Sequence, residues 1–168
     1  MSIASADLHS AVNTLWDNSA SLNNGFVALW PSSVTTSEHE ALHDTEASAG
    51  QPFPYCVYEQ GPGETITRMS KTATIGREIR DVPWIFRVHA KTVSGDSRTA
   101  KQIAAHLAGL IIKFFGGDPV DDPDDLVIAN GGFLISQYQN DYGVRTGEDE
   151  YQWVIEYLFR LDVPVAHR

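Results

Sequence analysis

Tyr151-Gln152-Trp153-Val154-Ile155-Glu156-Tyr157-Leu158-Phe159-Arg160-Leu161-Asp162-Val163 decides the fold class of this chain. Every odd position is apolar, while the even positions mix Gln, Val, Glu, Leu, Arg and Asp. Side chains alternate faces along a strand, so this segment predicts a long strand with one wholly apolar face. Val82, Trp84, Phe86, Val88 and Ala90 repeat the pattern, with Arg87, His89 and Lys91 between or beyond them. The apolar face of such a sheet needs a cover. Ala100, Ile103, Ala104, Leu107, Ile111 and Phe114 recur at helical spacing and form one stripe, which supplies it. These three segments predict an α+β fold.

Working outward, a helix is expected from about Ser5 to Asn18, with Ala4, Leu8, Val12, Leu15 and Trp16 on one face. The Asn- and Ser-rich tract Ser19 to Gly25 reads as a turn, and Phe26 to Trp30 as a short strand stopped by Pro31. Ser32 to Gln51 reads as a polar insertion loop with a helical turn near Glu38 to Asp44. Phe53 to Glu59 reads as a strand ended by Gly61-Pro62-Gly63. An extended excursion, about 61–78, leads to a strand from Ile79 to Val93. A turn at Ser94-Gly95-Asp96 precedes the helix, Ser97 to Phe115, which Gly116-Gly117 closes. Asp118 to Asp125 is an acidic loop; Leu126 to Gln139 is a strand with a bulge at Gly131-Gly132; Asp141 to Glu150 is a turn. Together they predict a single domain over 1–168, a mainly antiparallel four- to five-stranded sheet with two helices packed on one face.

Composition narrows the function. A chain of 168 residues that is 42% hydrophobic can bury a proper core. No apolar run approaches the ~20 residues of a membrane helix, and the N-terminus, MSIASADLHS, shows no signal-peptide pattern. Cys56 stands alone, so no internal disulfide is possible, and its apolar strand predicts an inert thiol. These features predict a protein made in a reducing cytoplasm. A net charge of −10 argues against affinity-driven nucleic-acid binding. The charge is segregated: residues 1–67 carry −8, residues 68–101 carry +5, and the remainder −7. A solvated surface explains this, as does a head-to-tail oligomer in which unlike surfaces meet.

Catalytic signatures are weak. His39-Glu40-Ala41-Leu42-His43 matches the H-E-x-x-H pattern, which on a helix presents two zinc ligands and a general base. Its flanks are polar and no third ligand is evident, so no metal site is expected, and a zinc-dependent hydrolase is kept only as an alternative. His89 reads as a surface residue between Arg87 and Lys91. The aspartates between Asp118 and Asp125 lack the EF-hand spacing. Gly61-Pro62-Gly63 has proline where a phosphate loop needs an N–H, and no G-x-S-x-G elbow occurs. No catalytic residue and no cofactor are expected. A small-ligand pocket between helix and sheet is a further alternative.

The order of elements resembles the tail terminator, or tail completion, proteins of long-tailed bacteriophages. An N-terminal helix is followed by Pro54-Tyr55-Cys56-Val57-Tyr58-Glu59 and then by Asp81-Val82-Pro83-Trp84-Ile85-Phe86-Arg87-Val88. The helix Ala100-x-x-Ile103-Ala104-x-x-Leu107 and the strand Tyr151-Gln152-Trp153-Val154-Ile155-Glu156-Tyr157 complete the match. The insertion at 32–51 departs from the shorter connections of that family. The resemblance implies a non-enzymatic virion protein at the head–tail junction, a homohexameric ring contacting the tail tube protein and the head–tail connector. DNA would pass through its lumen without specific binding, and no membrane is involved. Another head–tail connector or adaptor is the alternative within that class. Candidate contact residues are the bases Arg68, Lys71, Arg77 and Arg80 and the acids Asp121, Asp122, Asp124 and Asp125.

Overall fold

The computed structural model describes residues 3–34, 36, 38–62, 64–69, 75–116 and 132–166. The elements run α1 (Ile3–Asn18), α2 (Ala20–Val27), β1 (Leu42–Asp44), β2 (Tyr55–Gln60), β3 (Glu64–Met69), β4 (Ile75–Lys91), α3 (Ala100–Phe115), β5 (Gly132–Arg145) and β6 (Glu150–Ala166). The class is α+β, with strand order β1-β2-β4-β6-β5 and β3 paired to the first part of β4. Every pairing is antiparallel except β1 with β2, which is parallel and makes the sheet mixed.

β4 and β6 form the spine, in unbroken register from Ile75↔Ala166 to Lys91↔Glu150. Their alternation sorts side chains as the sequence requires. Val82, Trp84, Phe86, Val88 and Ala90 are buried with Ile155, Tyr157, Phe159 and Leu161, while Trp153 is half-buried against them. Cys56 and Tyr58 of β2 join the same face opposite Val88 and Phe86. Trp84 stacks on Tyr58 at 5.0 Å between ring centroids and approaches Phe159 at 5.7 Å. Burial raises the Cys56 thiol pKa far above its ordinary value, so this thiol is inert.

α3 covers β4 and β6 with Ile103, Ala104, Leu107, Ala108, Ile111 and Phe115, all buried. Phe115 takes the place in the stripe expected of Phe114, which is half-buried beside it. The helix begins three residues later than its sequence suggests because Thr99 caps it: the hydroxyl accepts from Gln102 N at 3.3 Å, and Gln102 Oε1 accepts from Thr99 N at 2.9 Å. Thr99→Ala is expected to cost about 1 kcal/mol, read as a shift of the urea midpoint at constant slope. Upstream, the Arg98 guanidinium grips Asp96 in the turn and holds its carboxyl down at about 2.

The segment after α1 departs most from its sequence reading. Ser19 to Gly25 is not a turn and Phe26 to Trp30 is not a strand: both fall in or beside α2. Ser19 is the N-cap, its hydroxyl accepting from Leu22 N at 3.3 Å. Leu22, Phe26 and Trp30 then bury at intervals of four. Asn23, Asn24 and Gly25 are poor helix formers, and packing outweighs them. Gly25 has a packing role, since a Cβ there would lie 2.7 Å from Leu110 Cδ1 of α3. α2 is therefore a third helix, packed against α3 and α1.

The described residues of the polar insertion also take up defined structure. Where a helical turn was expected, Leu42–Asp44 forms β1, bonded to β2 through Cys56 N→Ala41 O at 2.7 Å and Thr45 N→Tyr58 O at 2.9 Å. Gln51, buried, donates to Glu40 O at 2.6 Å, and Trp30 Nε1 donates to Pro54 O at 2.7 Å. The excursion is a β-hairpin in its described part: β3 pairs with β4 residues 77–81, so β4 begins at Ile75 rather than Ile79. Asp141 to Glu150 is a turn only over residues 146–149, because β5 runs on to Arg145. Gly131 and the strand residues expected before it lie outside the described residues, as do Gly117 and the acidic loop.

Candidate assembly surface

Four side chains of the basic middle segment are answered within the chain. Arg87 reaches Glu59 at 2.5 Å, Lys91 reaches Glu150 at 2.6 Å, Arg98 reaches Asp96 at 2.6 Å, and Arg80 pairs with Glu78. Glu59 comes from the acidic N-terminal third and Glu150 from the acidic C-terminal third. The segregation seen along the sequence is thus partly folded back on itself, with unlike charges set across neighbouring strands. Arg160 of β6 and Asp81 of β4 repeat the device in reverse, as a two-point pair at 2.8 and 2.9 Å.

Arg80 shares the face of β4 that carries Val82 and Trp84, and it is committed to Glu78, which is only 2% exposed. Arg68 and Arg77 are placed by their backbones on the β3–β4 hairpin, at the register positions Arg68↔Glu78 and Met69↔Arg77. Lys71, Asp121, Asp122, Asp124 and Asp125 lie outside the described residues.

The surface feature that sequence reasoning missed is on β5. Among the described residues, the large apolar side chains left exposed are Tyr138, Tyr142 and Val144, at 40%, 44% and 40%, and all three belong to this strand. β5 is an outer strand of the sheet, paired only with β6 among the described residues. The alternation Tyr142-Gly143-Val144 was the available signal, but the Asn140-Asp141 pair before it reads as a turn. Asp141 instead accepts from the Tyr138 hydroxyl and from Trp153 Nε1, the latter at 2.7 Å, and the hydrogen bond to Asp141 holds the Tyr138 phenol pKa above the ordinary value. Gly143 is required here. A Cβ would lie 2.5 Å from the Tyr151 ring and 2.9 Å from Trp153, which fold over the inner side of the strand.

His39, Glu40 and His43 line a cleft of about 520 Å³ between the first two helices and the segment leading into β1. The geometry that this motif has in zinc peptidases is not formed. His43 sits in a strand, not one helical turn from His39, so the two imidazoles do not share a helix face. Each ring packs edge-on against an aromatic, His39 against Trp30 at 6.5 Å and His43 against Tyr55 at 5.9 Å. Burial depresses the His43 pKa, with hydrogen bonding and the charge of Glu40 opposing it. No three His, Cys, Asp or Glu side chains are grouped to hold a metal ion among the described residues. His89 stacks on Tyr55 at 4.8 Å and meets Gln152 at 3.1 Å, so its half-buried ring is packed against neighbours. No described helix is long and apolar enough to cross a membrane.

No family model matches the sequence, and no curated protein matches it either. Solved structures do. The chain is similar to a chain of the structure described as "Virion of native gene transfer agent (GTA) particle", with a TM-score of 0.53 at 19% identity. The likeness covers 95% of this chain and 97% of that one, so the two share a fold from end to end.

Proposed function

We propose that this chain is a structural virion subunit: a ring-forming tail terminator that caps the tail tube of a long-tailed phage or phage-like particle and joins it to the neck. The observation that carries the reading is the end-to-end fold likeness to a chain of the gene transfer agent virion. The order of sequence elements that resembles the tail terminators agrees with it. No catalysis or cofactor is needed. The H-E-x-x-H residues pack on aromatic rings in a strand-and-loop segment, which disfavours the hydrolase alternative.

In this reading the subunits close as a homohexamer, made in the host cytoplasm and built into the particle between tube and connector. A chain of net charge −10 suits a DNA conduit, because a lumen that does not hold the polyanion lets it pass. The alternative, a head–tail connector or adaptor, differs in what its loss does. A cap limits tube growth, so particles made without it should carry tubes longer than normal. Without a connector, tubes of normal length should remain unattached to heads. Electron microscopy of particles from a deletion strain, with native mass spectrometry of the purified chain, tests both points. A hexamer and overlong tubes are expected; a strictly monomeric protein whose deletion leaves intact particles would overturn the proposal.

A further inference from the structure

We infer that the cleft between α1, α2 and the segment entering β1 is a binding site for an extended organic cation, an aliphatic di- or triamine. The inference goes beyond the virion reading and does not depend on it. Asp17 of α1, with Glu40 and Asp44 of the entering segment, borders this cleft of about 520 Å³. A cavity of about 300 Å³ shares Thr36, His39, Glu40 and His43 with it, so the two adjoin, and adds Glu38 and Gln51 to the lining. No lysine or arginine borders either space. Residues 1–67, which build both, contain none. Asp44 Oδ2 lies 3.3 Å from His9 Nδ1, but the carboxylates of Asp17, Glu38 and Glu40 pair with no described lysine or arginine. The cleft is therefore strongly anionic and unanswered from within.

Carboxylates alone make only a solvated acidic surface; the buried Gln51 distinguishes this one. Gln51 is 8% exposed, and its Nε2 donates to Glu40 O at 2.6 Å, which fixes the direction of the amide. Oε1 is then a buried acceptor, and it has no partner, a costly state for a polar atom. His43 Nε2 is likewise buried and unpartnered. An ammonium group carries three N–H donors and no acceptor, so it answers Gln51 Oε1 and the carboxylates together. Trp16 Nε1, also buried and unpartnered beside the cleft, is itself a donor and is left to a water. The shape of the ligand follows from the spread of the acids. Among the described residues no three His, Cys, Asp or Glu side chains converge to hold a metal ion. A compact dication is thus disfavoured, whereas ammonium groups joined by methylenes reach successive carboxylates. Buried Ala41 and Leu42 and half-buried Val27 give those methylenes apolar contact. The volume is in the range of about 300–1,000 Å³ that holds small ligands.

Spermidine, a triamine, is the probe, with 1,5-pentanediol as the uncharged control and Mg²⁺ as the compact cation. Titrated into the full-length chain at low salt and followed by amide chemical shifts, spermidine should bind one to one. Its shifts should be confined to residues 13–17, 23–27, 38–44 and 51–58. The diol should not bind, and Mg²⁺ at equal concentration should displace little spermidine. Asp17→Asn with Glu38→Gln and Glu40→Gln changes exposed side chains only and should weaken binding about tenfold or more. Gln51→Leu should weaken it about fivefold. Glu148→Gln with Asp149→Asn, in the β5–β6 turn outside the cleft, should leave it unchanged. Circular dichroism checks each fold; if Gln51→Leu does not fold, the cleft carboxylate variant decides alone. Tube length and ring size, on which the virion reading stands, are not measured by these titrations. Shifts spread over every acidic surface, displacement by Mg²⁺ at parity, equal weakening in the two carboxylate variants, or no saturation by about 10 mM spermidine would each overturn the inference. So would a cleft variant that binds spermidine unchanged but loses self-association, which assigns the carboxylates to a basic side chain of a second copy.

Discussion

Phe159→Ala is expected to lower the stability of the fold by about 3–5 kcal/mol, the largest single effect anticipated for the core. Phe159 is fully buried on the inner face of β6. Its ring lies 5.7 Å from Trp84, 5.9 Å from Tyr157 and 6.4 Å from Phe115, so its loss opens a cavity between the strand pair and α3. Rigid rings on three elements border that space and cannot collapse far into it, which puts the cost toward the upper end. A domain's whole stability is about 5–15 kcal/mol, so the variant should unfold at a much lower urea concentration. Leu158→Ala is the control. It removes a half-buried apolar side chain from the adjacent position on the opposite face and should cost far less. Both variants need measuring at one protein concentration, because self-association adds stability that depends on it. Equal losses at 158 and 159 would show that the two faces are not divided as described.

The same alternation explains what was legible in the sequence. β4, β6 and α3 carry long uninterrupted patterns, period two in the strands and three-to-four in the helix, and each buries the face its pattern names. Short or polar elements were not legible. α2 is eight residues with Asn23, Asn24 and Gly25 in its middle, and it is helical because Leu22 and Phe26 find a place against the core. β1 is three residues long, too short for any periodicity, and it is fixed by backbone bonds to β2. β5 was half read because Gly132, Asn140, Asp141 and Gly143 are punctuation in most chains. Here Gly143 admits the Tyr151 and Trp153 rings, and Asp141 serves Trp153. The candidate surface was harder still. Charge could be counted by segment, but only the cross-strand register shows that Arg87 and Lys91 are answered by Glu59 and Glu150.

That register sharpens the electrostatic expectation. Arg68, Lys71 and Arg77 together replaced by glutamate should weaken subunit or tube association by roughly 10- to 100-fold at low salt, with the fold kept. Exposed ion pairs contribute about 0–1 kcal/mol each, so a single reversal should do little and three together reach about 1–3 kcal/mol. The net charge, already −10, falls by two with each reversal, and repulsion between acidic copies adds to the loss. Arg80 stays out of the set because its partner is Glu78 in its own subunit. Salt provides the internal check: above about 0.15 M the Debye length drops below ~8 Å, and the difference from the unaltered chain should shrink. Lys91→Glu makes the contrast, since it sets like charges across the β4–β6 pair at Glu150. Its effect, about 0.2–1 kcal/mol, should appear in folding stability and leave association unchanged. Analytical ultracentrifugation across a salt series reads the association of both variants. If the triple variant assembles and attaches to tubes as the unaltered chain does at every salt concentration, the basic hairpin is not a contact, and the charge of residues 68–101 serves only the pairs made inside the subunit.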